Sequence, residues 1–123
     1  MMTNITPSIE FFVGLAEELS NVSLRRSQST GVFTVVMIFE RLKAIEKFQS
    51  FTARTYGDLR LIDEEGTITV TPSSIKFSFG GEDDDELKKA ECSFEIEQEE
   101  YWDRFMRFMD RYAEANGMEF RKK

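Results

Sequence analysis

The sequence predicts an α+β fold: an antiparallel β-sheet built from consecutive hairpins, with one long C-terminal amphipathic helix packed against it. Three observations carry that expectation. Short runs with period-two apolar alternation, such as "SIKFSF" (residues 74–79), recur between clusters of Gly, Pro, Asp and Ser. The run "GVFTVVMIF" (31–39) is apolar on both strand parities, as a central strand requires. Near the C-terminus, "EEYWDRFMRFMDRY" (99–112) changes to the 3.6-residue period of a helix.

The elements follow in order. "SIEFFVG" (8–14) forms a first strand ending at Gly14, after a flexible N-terminal tail over residues 1–7. "NVSLRRS" and "GVFTVVMIF" flank the polar run Ser27 to Thr30, which predicts a hairpin with Gly31 at its turn. In its second strand, Phe33, Val35, Met37 and Phe39 oppose Val32, Val36 and Ile38, so both faces should be covered. "ERLKAIEKFQSF" (40–51) reads as a loop with one or two helical turns, with Leu42, Ile45 and Phe48 on one face. A strand then runs to about Asp63, "DEEG" (63–66) turns into "TITVT", and Pro72 closes that strand. Ile75, Phe77 and Phe79 alternate with Ser74, Lys76 and Ser78 in the next one. "GGEDDDE" (80–86) is a flexible acidic turn, Leu87 to Glu97 the last long strand, and "MEF" (118–120) a short end strand after Gly117. No repeat or linker divides residues 1–123, so one domain is expected.

The helix is predicted over Gln98 to Asn116. At about 100° per residue, Trp102, Phe105, Met106, Met109 and Ala113 form one stripe, and Tyr101, Phe108 and Tyr112 widen the apolar arc to roughly 160°. Asp103, Arg104, Arg107, Asp110, Arg111 and Glu114 fill the opposite arc. Pairs such as Glu100 with Arg104 and Asp103 with Arg107 add only about 0.2–0.5 kcal/mol each. Glu97, Glu99 and Glu100 suit the positive end of the helix dipole, and Gly117 can take the left-handed cap. Burying one Phe or Met contributes about 1.5–3 kcal/mol, so the stripe is read as core, and Trp102→Ala should destabilise by about 3–5 kcal/mol. Tyr101 and Phe108, toward the rim of the arc, are candidate partner contacts. A helix lying in a membrane surface would carry a Lys/Arg-rich polar face, which this mixed one lacks.

Composition narrows the function. With 41% hydrophobic and 32% charged residues the chain reads as globular, and a formal net charge of −7 argues against nucleic acid as a partner. Arg25-Arg26 is a short basic patch at a strand end. Cys92 is the one cysteine, so no internal disulfide is possible; it shares strand parity with Ala90, Phe94 and Ile96 and is read as a core residue. No signal peptide is visible, and no segment approaches the roughly 18 apolar residues of a membrane span, so membrane association should be peripheral, through protein partners. The absence of histidine removes the commonest general base and metal ligand, and with it every Ser/His/Asp or Cys/His nucleophile. The glycines form no phosphate-binding pattern. Asp83 to Glu86 lack the alternating spacing of a calcium loop, and Asp63, Glu64 and Glu65 sit at a hairpin tip where burial is not expected. No catalytic, cofactor-binding or metal-binding residue emerges. The residues describe a non-enzymatic interaction module; the alternatives are a generic acidic adaptor of some other complex and a small-molecule carrier with an aromatic cavity.

"LIDEEG" (61–66) followed by "EEYWDRFMRFMDRYAEANGMEF" (99–120) resembles the photosystem II assembly protein family numbered twenty-eight in the Psb series, also called the reaction-centre W-like protein. "GDLRLIDEEGTI" agrees in kind and position, and "VSLRRSQSTGVFTVVMIFE" matches the family's arginine-containing hairpin more loosely. Two departures, "ERLKAIEK" in place of a proline-containing turn and "GGEDDDELKKAEC" in place of a shorter Asn/Gly turn, suggest a divergent paralogue. No transit peptide is visible, which favours a cyanobacterial or plastid-encoded origin. The resemblance implies a cofactor-free extrinsic factor on the cytoplasmic side of the thylakoid membrane, with a soluble pool. It would bind transiently to photosystem II intermediates that contain the inner antenna and reaction-centre subunits. A β-rich chain without a site of its own suggests docking by strand addition at a sheet edge, with Arg25, Arg26, Tyr101 and Phe108 as contacts.

Overall fold

The computed structural model describes residues 5–43, 58–84 and 86–120. Within them, eight strands precede one helix: β1 (Ser8–Phe12), β2 (Leu15–Glu17), β3 (Asn21–Arg26), β4 (Phe33–Phe39), β5 (Leu59–Asp63), β6 (Gly66–Val70), β7 (Ser74–Gly80), β8 (Glu86–Ile96) and α1 (Glu99–Asn116). Consecutive strands form four antiparallel hairpins; the turn signals predict those of β3–β4, β5–β6 and β7–β8, while the short β2 that pairs with β1 was not foreseen. Alternate hairpins then join: β1 pairs with β5 and β4 with β8. The α+β class holds, but the strands divide between two four-stranded sheets, in the orders β2-β1-β5-β6 and β3-β4-β8-β7.

Local chemistry explains most boundaries. β1 turns into β2 through Gly14, whose φ of 84° suits a residue without Cβ and whose N–H bonds Glu10 Oε1 at 3.0 Å. Three-residue β2 is too short to leave a periodicity in the sequence. β4 is an inner strand, as expected; Val35, Met37 and Phe39 are fully buried, while Val36 and Ile38 on its other face are only partly covered. Leu42 is buried, and the helical turns expected beyond Lys43 lie outside the described residues, as does most of the expected tail over residues 1–7.

The inner faces of both sheets meet under α1. Ile9, Phe11, Leu59 and Leu61 from one sheet, Val35, Met37, Phe39, Cys92 and Phe94 from the other, and Phe105, Phe108 and Met109 from α1 form one buried cluster. Phe11 meets Phe39 edge-on at 5.4 Å, and Phe94 meets Phe105 at 5.7 Å, so aromatic contacts join sheet to sheet and sheet to helix. Cys92 is buried with its expected neighbours, and burial pushes its thiol up to about 12, which keeps it protonated and unreactive.

The buried face of α1 is rotated from the predicted stripe by roughly half a residue step. Phe105, Phe108, Met109, Tyr112 and Ala113 are buried, whereas Trp102 and Met106 are only partly covered. Phe108, expected at the rim, is 0% exposed, so its role as a partner contact is withdrawn. Tyr112 explains part of the rotation: its hydroxyl accepts from Leu19 N–H at 2.9 Å, which anchors this side of α1 to the segment between β2 and β3. Gly117 caps the helix in the left-handed conformation, φ 67°, and Met118 N–H bonds Ala113 O at 2.9 Å. Residues 118–120 form no strand; Met118 and Phe120 instead rest against the core beside α1.

Candidate partner-binding groove

Two flanks of α1 remain outside the core, and they differ in chemistry. On one flank, Arg104, Arg107 and Arg111 face the β5–β6 turn. Asp63 Oδ1 accepts from Arg104 Nη2 at 2.6 Å and from Glu65 N–H at 2.9 Å, while Oδ2 accepts from Arg104 Nη1 at 2.9 Å and Arg111 Nη1 at 3.0 Å. Glu65 accepts from Arg107 Nε at 2.8 Å and Nη2 at 3.0 Å, and from Arg111 Nη1; Arg111 Nε also lies 3.2 Å from Glu64. Forked guanidinium-to-carboxylate pairs of this kind are among the stronger polar contacts.

At Asp63 this clamp overturns the expectation that the turn carboxylates are unburied, while Glu64 and Glu65 stay exposed as expected. Asp63 is 0% exposed. Burial pushes its carboxyl up, but the hydrogen bonds from Arg104, Arg111 and the Glu65 amide together hold it below the usual carboxylate range. Glu65 is held down to about 2, by Arg107 first and Arg111 second. The same bonds raise Arg107 and Arg111. The ion pairs expected within the helix are replaced: among the described residues, the pairs made by Arg104, Arg107 and Arg111 all run to Asp63, Glu64 and Glu65. With every carboxylate matched to a cation, the cluster is built for cohesion rather than acid–base chemistry.

The opposite flank of α1 faces β3 across an open groove of ≈ 1120 Å³. Val22 and Leu24 from the strand, Trp102 and Met106 from the helix, and Met118 and Phe120 beyond it supply an apolar lining. Trp102 stacks on Phe33 with ring centroids 4.0 Å apart and planes within 5°. Arg26 lies over the other partner of that stack, its Cζ 5.2 Å from the Phe33 centroid. Arg25 and Arg26 are both exposed and line the groove, as a docking role requires.

β3 is also an edge strand. Ser27 N–H bonds Val32 O at 2.9 Å, so strand alternation turns the backbone groups of Asn21, Ser23 and Arg25 toward β4 and those of Val22, Leu24 and Arg26 outward. The Asn21 side chain accepts from Val22 N–H at 2.8 Å and closes one outward donor. Among the described residues, Leu24 and Arg26 remain as an open edge above an apolar floor. Charged side chains on such an edge discourage pairing with another copy while leaving it available to a chosen partner.

The predicted contacts therefore separate. Arg25 and Arg26 share the groove; Tyr101, 58% exposed, stands on the clamp flank beside Arg104; Phe108 is in the core. Sequence reasoning missed Trp102 and Met106 as groove walls because a wheel gives spacing but not the absolute rotation of the helix. It missed the clamp although a signal exists: three arginines at 104, 107 and 111 share one face and match the acidic run 63–65. Among the described residues no group of acids or thiols is arranged to hold a metal, and no helix is long and apolar enough to cross a membrane.

Known proteins share this chain nearly end to end. A photosystem II reaction center Psb28 protein of Synechococcus sp. (strain JA-2-3B'a(2-13)) is 37% identical over 111 residues, which cover 90% of this chain and 95% of that protein. The protein of the same name from Thalassiosira pseudonana is 34% identical over 115 residues, 93% and 96% of the two chains, and that from Trichodesmium erythraeum (strain IMS101) is 35% identical over 116, 94% and 96%. The family model described as Psb28 protein matches residues 9–120, a span that takes in the edge strand, the clamp and the helix, and the chain belongs to that family.

Proposed function

We propose that this protein is a non-catalytic extrinsic factor of photosystem II that binds assembly or repair intermediates and leaves before the complex matures. In this reading it works on the cytoplasmic face of the thylakoid membrane, with a soluble pool, and its partners are reaction-centre subunits with the inner antenna. Relatives named as photosystem II reaction-centre proteins support the complex. The observation that carries the mode of action is the open edge of β3 above the apolar groove. An extended segment of a partner can add to that edge through the outward groups of Leu24 and Arg26, while its alternate side chains rest on Trp102 and Met106. Backbone pairing supplies affinity and the groove supplies selectivity.

An affinity pull-down from solubilised photosynthetic membranes, with subunits identified by mass spectrometry, tests the reading. Recovery of reaction-centre proteins with the inner antenna, and without the oxygen-evolving extrinsic subunits, is the expected result. Recovery of no photosystem II subunit at low salt, while a control bait succeeds, overturns it.

A further inference from the structure

β6 and β7 are almost one strand: only Thr71, Pro72 and Ser73 separate them, yet they belong to different sheets. Were the β7–β8 register continued, residues 73 back to 69 would face Phe94 to Gln98. Pro72 has no N–H to give a ladder and a fixed φ, and the chain leaves β8 there. The last contacts are Ser73 N–H and Ser73 Oγ to Ser93 O, at 2.7 and 3.1 Å. Past Ser93, no described strand lies on this side of β8.

The result is a wedge with open backbone on both walls. Ser93 turns its carbonyl toward β7, so alternation turns the N–H and C=O of Glu95 and Glu97 the same way, into the gap. Across it, the two-residue β5–β6 turn directs Gly66, Ile68 and Val70 to β5 and leaves Thr67 and Thr69 facing outward. Between the walls lies a cleft of ≈ 460 Å³ lined by Ile68, Val70, Phe94, Ile96 and Phe105, with Tyr101 exposed at its mouth. Its charge is one-sided. Glu95 and Glu97 line it and make no ion pair among the described residues, while its one cation, Arg104, is already bound to Asp63.

We propose that this cleft is a second docking site, for an extended segment that alternates Lys or Arg with apolar side chains. The apolar residues enter between Ile68 and Phe94, the cations meet Glu95 and Glu97, and the backbone pairs with the open edge of β8 or β6. Lying on the clamp flank of α1, it is separate from the β3 groove, so one copy can hold two partner segments. The inference is independent of which complex the β3 groove serves.

The test is an NMR titration of the full chain with a capped seven-residue peptide alternating Lys and Val, against a control alternating Glu and Val. The expected result is saturable amide shifts at residues 68–71 and 94–98, with affinity for the Lys peptide at least tenfold above the control. In the Glu95→Lys/Glu97→Lys variant that preference should vanish with the melting temperature unchanged. Shifts confined to β3, equal affinity for the two peptides, or no saturation at millimolar peptide overturns the proposal.

Discussion

Two hairpins lean on α1, and they meet it in opposite ways. The tip of β5–β6 is locked: Asp63, Glu64 and Glu65 each bind an arginine of the helix, and Asp63 has lost all contact with solvent. The edge of β3 is open: Arg25 and Arg26 are exposed, and the strand faces Trp102 and Met106 across a groove. Arginine serves both places. Where carboxylates match it, its charge is used in holding the fold; where none does, charge, apolar surface and backbone stay exposed.

The strongest way to break this contrast is to remove the support both hairpins share. Phe108→Ala empties a fully buried site between the two flanks and should destabilise the protein by about 3–5 kcal/mol in urea denaturation. A loss below 1 kcal/mol would return Phe108 to the surface role read from the sequence. Asp63→Ala attacks the locked side alone. It strands Arg104 and Arg111, and since both keep some access to water the loss should fall near the lower end of the 3–5 kcal/mol typical of broken buried pairs, about 3 kcal/mol. Amide signals of β3 should stay in place in that variant.

These outcomes also bear on what the sequence could disclose. The hairpins after β2, the inner position of β4, the burial of Cys92 and the limits of α1 all follow from local signals, a period of two or 3.6, a proline, a glycine cap. The pairing of alternate hairpins into two sheets does not, because β1 meeting β5 depends on residues some fifty positions apart in sequence. The rotation of α1 was hidden for a related reason. Trp102 and Phe108 are equally apolar in a wheel, and only the clamp from residues 63–65 and the Tyr112 contact decide which one turns inward. The exposure of Arg25 and Arg26 was legible because they stand at a strand end flanked by a clear turn.

Acid separates the two hairpins without mutation. The carboxyl of Glu65 falls from 4.5 to about 2 on folding and that of Asp63 lies below 3.8, so both are depressed groups. Their stabilisation is complete above about pH 4.5 and is lost as the pH falls toward 2, when the folded carboxylates protonate. Tip resonances around residues 63–66 should therefore shift in that window before those of β3, and Asp63→Ala should flatten the acid limb of the stability curve. A smaller effect is expected from Trp102→Ala. Its ring is only partly covered, so the loss should be about 1–3 kcal/mol rather than the 3–5 kcal/mol of a buried aromatic. If the folded variant also loses the photosystem II partner, the ring is a wall of the docking groove.

The smallest effect on stability should come with the largest effect on binding. Arg25 makes no ion pair among the described residues, and Arg26 contributes a surface contact over Phe33 worth about 0.5–1 kcal/mol. Arg25→Glu/Arg26→Glu should therefore melt within a few degrees of the parent chain. In a pull-down it should recover far less of the partner complex, because two like charges now stand where the incoming strand must pair and the edge has become acidic. Recovery equal to the parent chain would remove both arginines from the interface and leave Leu24, Trp102 and Met106 to define it. Loss of binding with an unchanged melting curve would show that the open hairpin, unlike the locked one, keeps its charges for something outside the molecule.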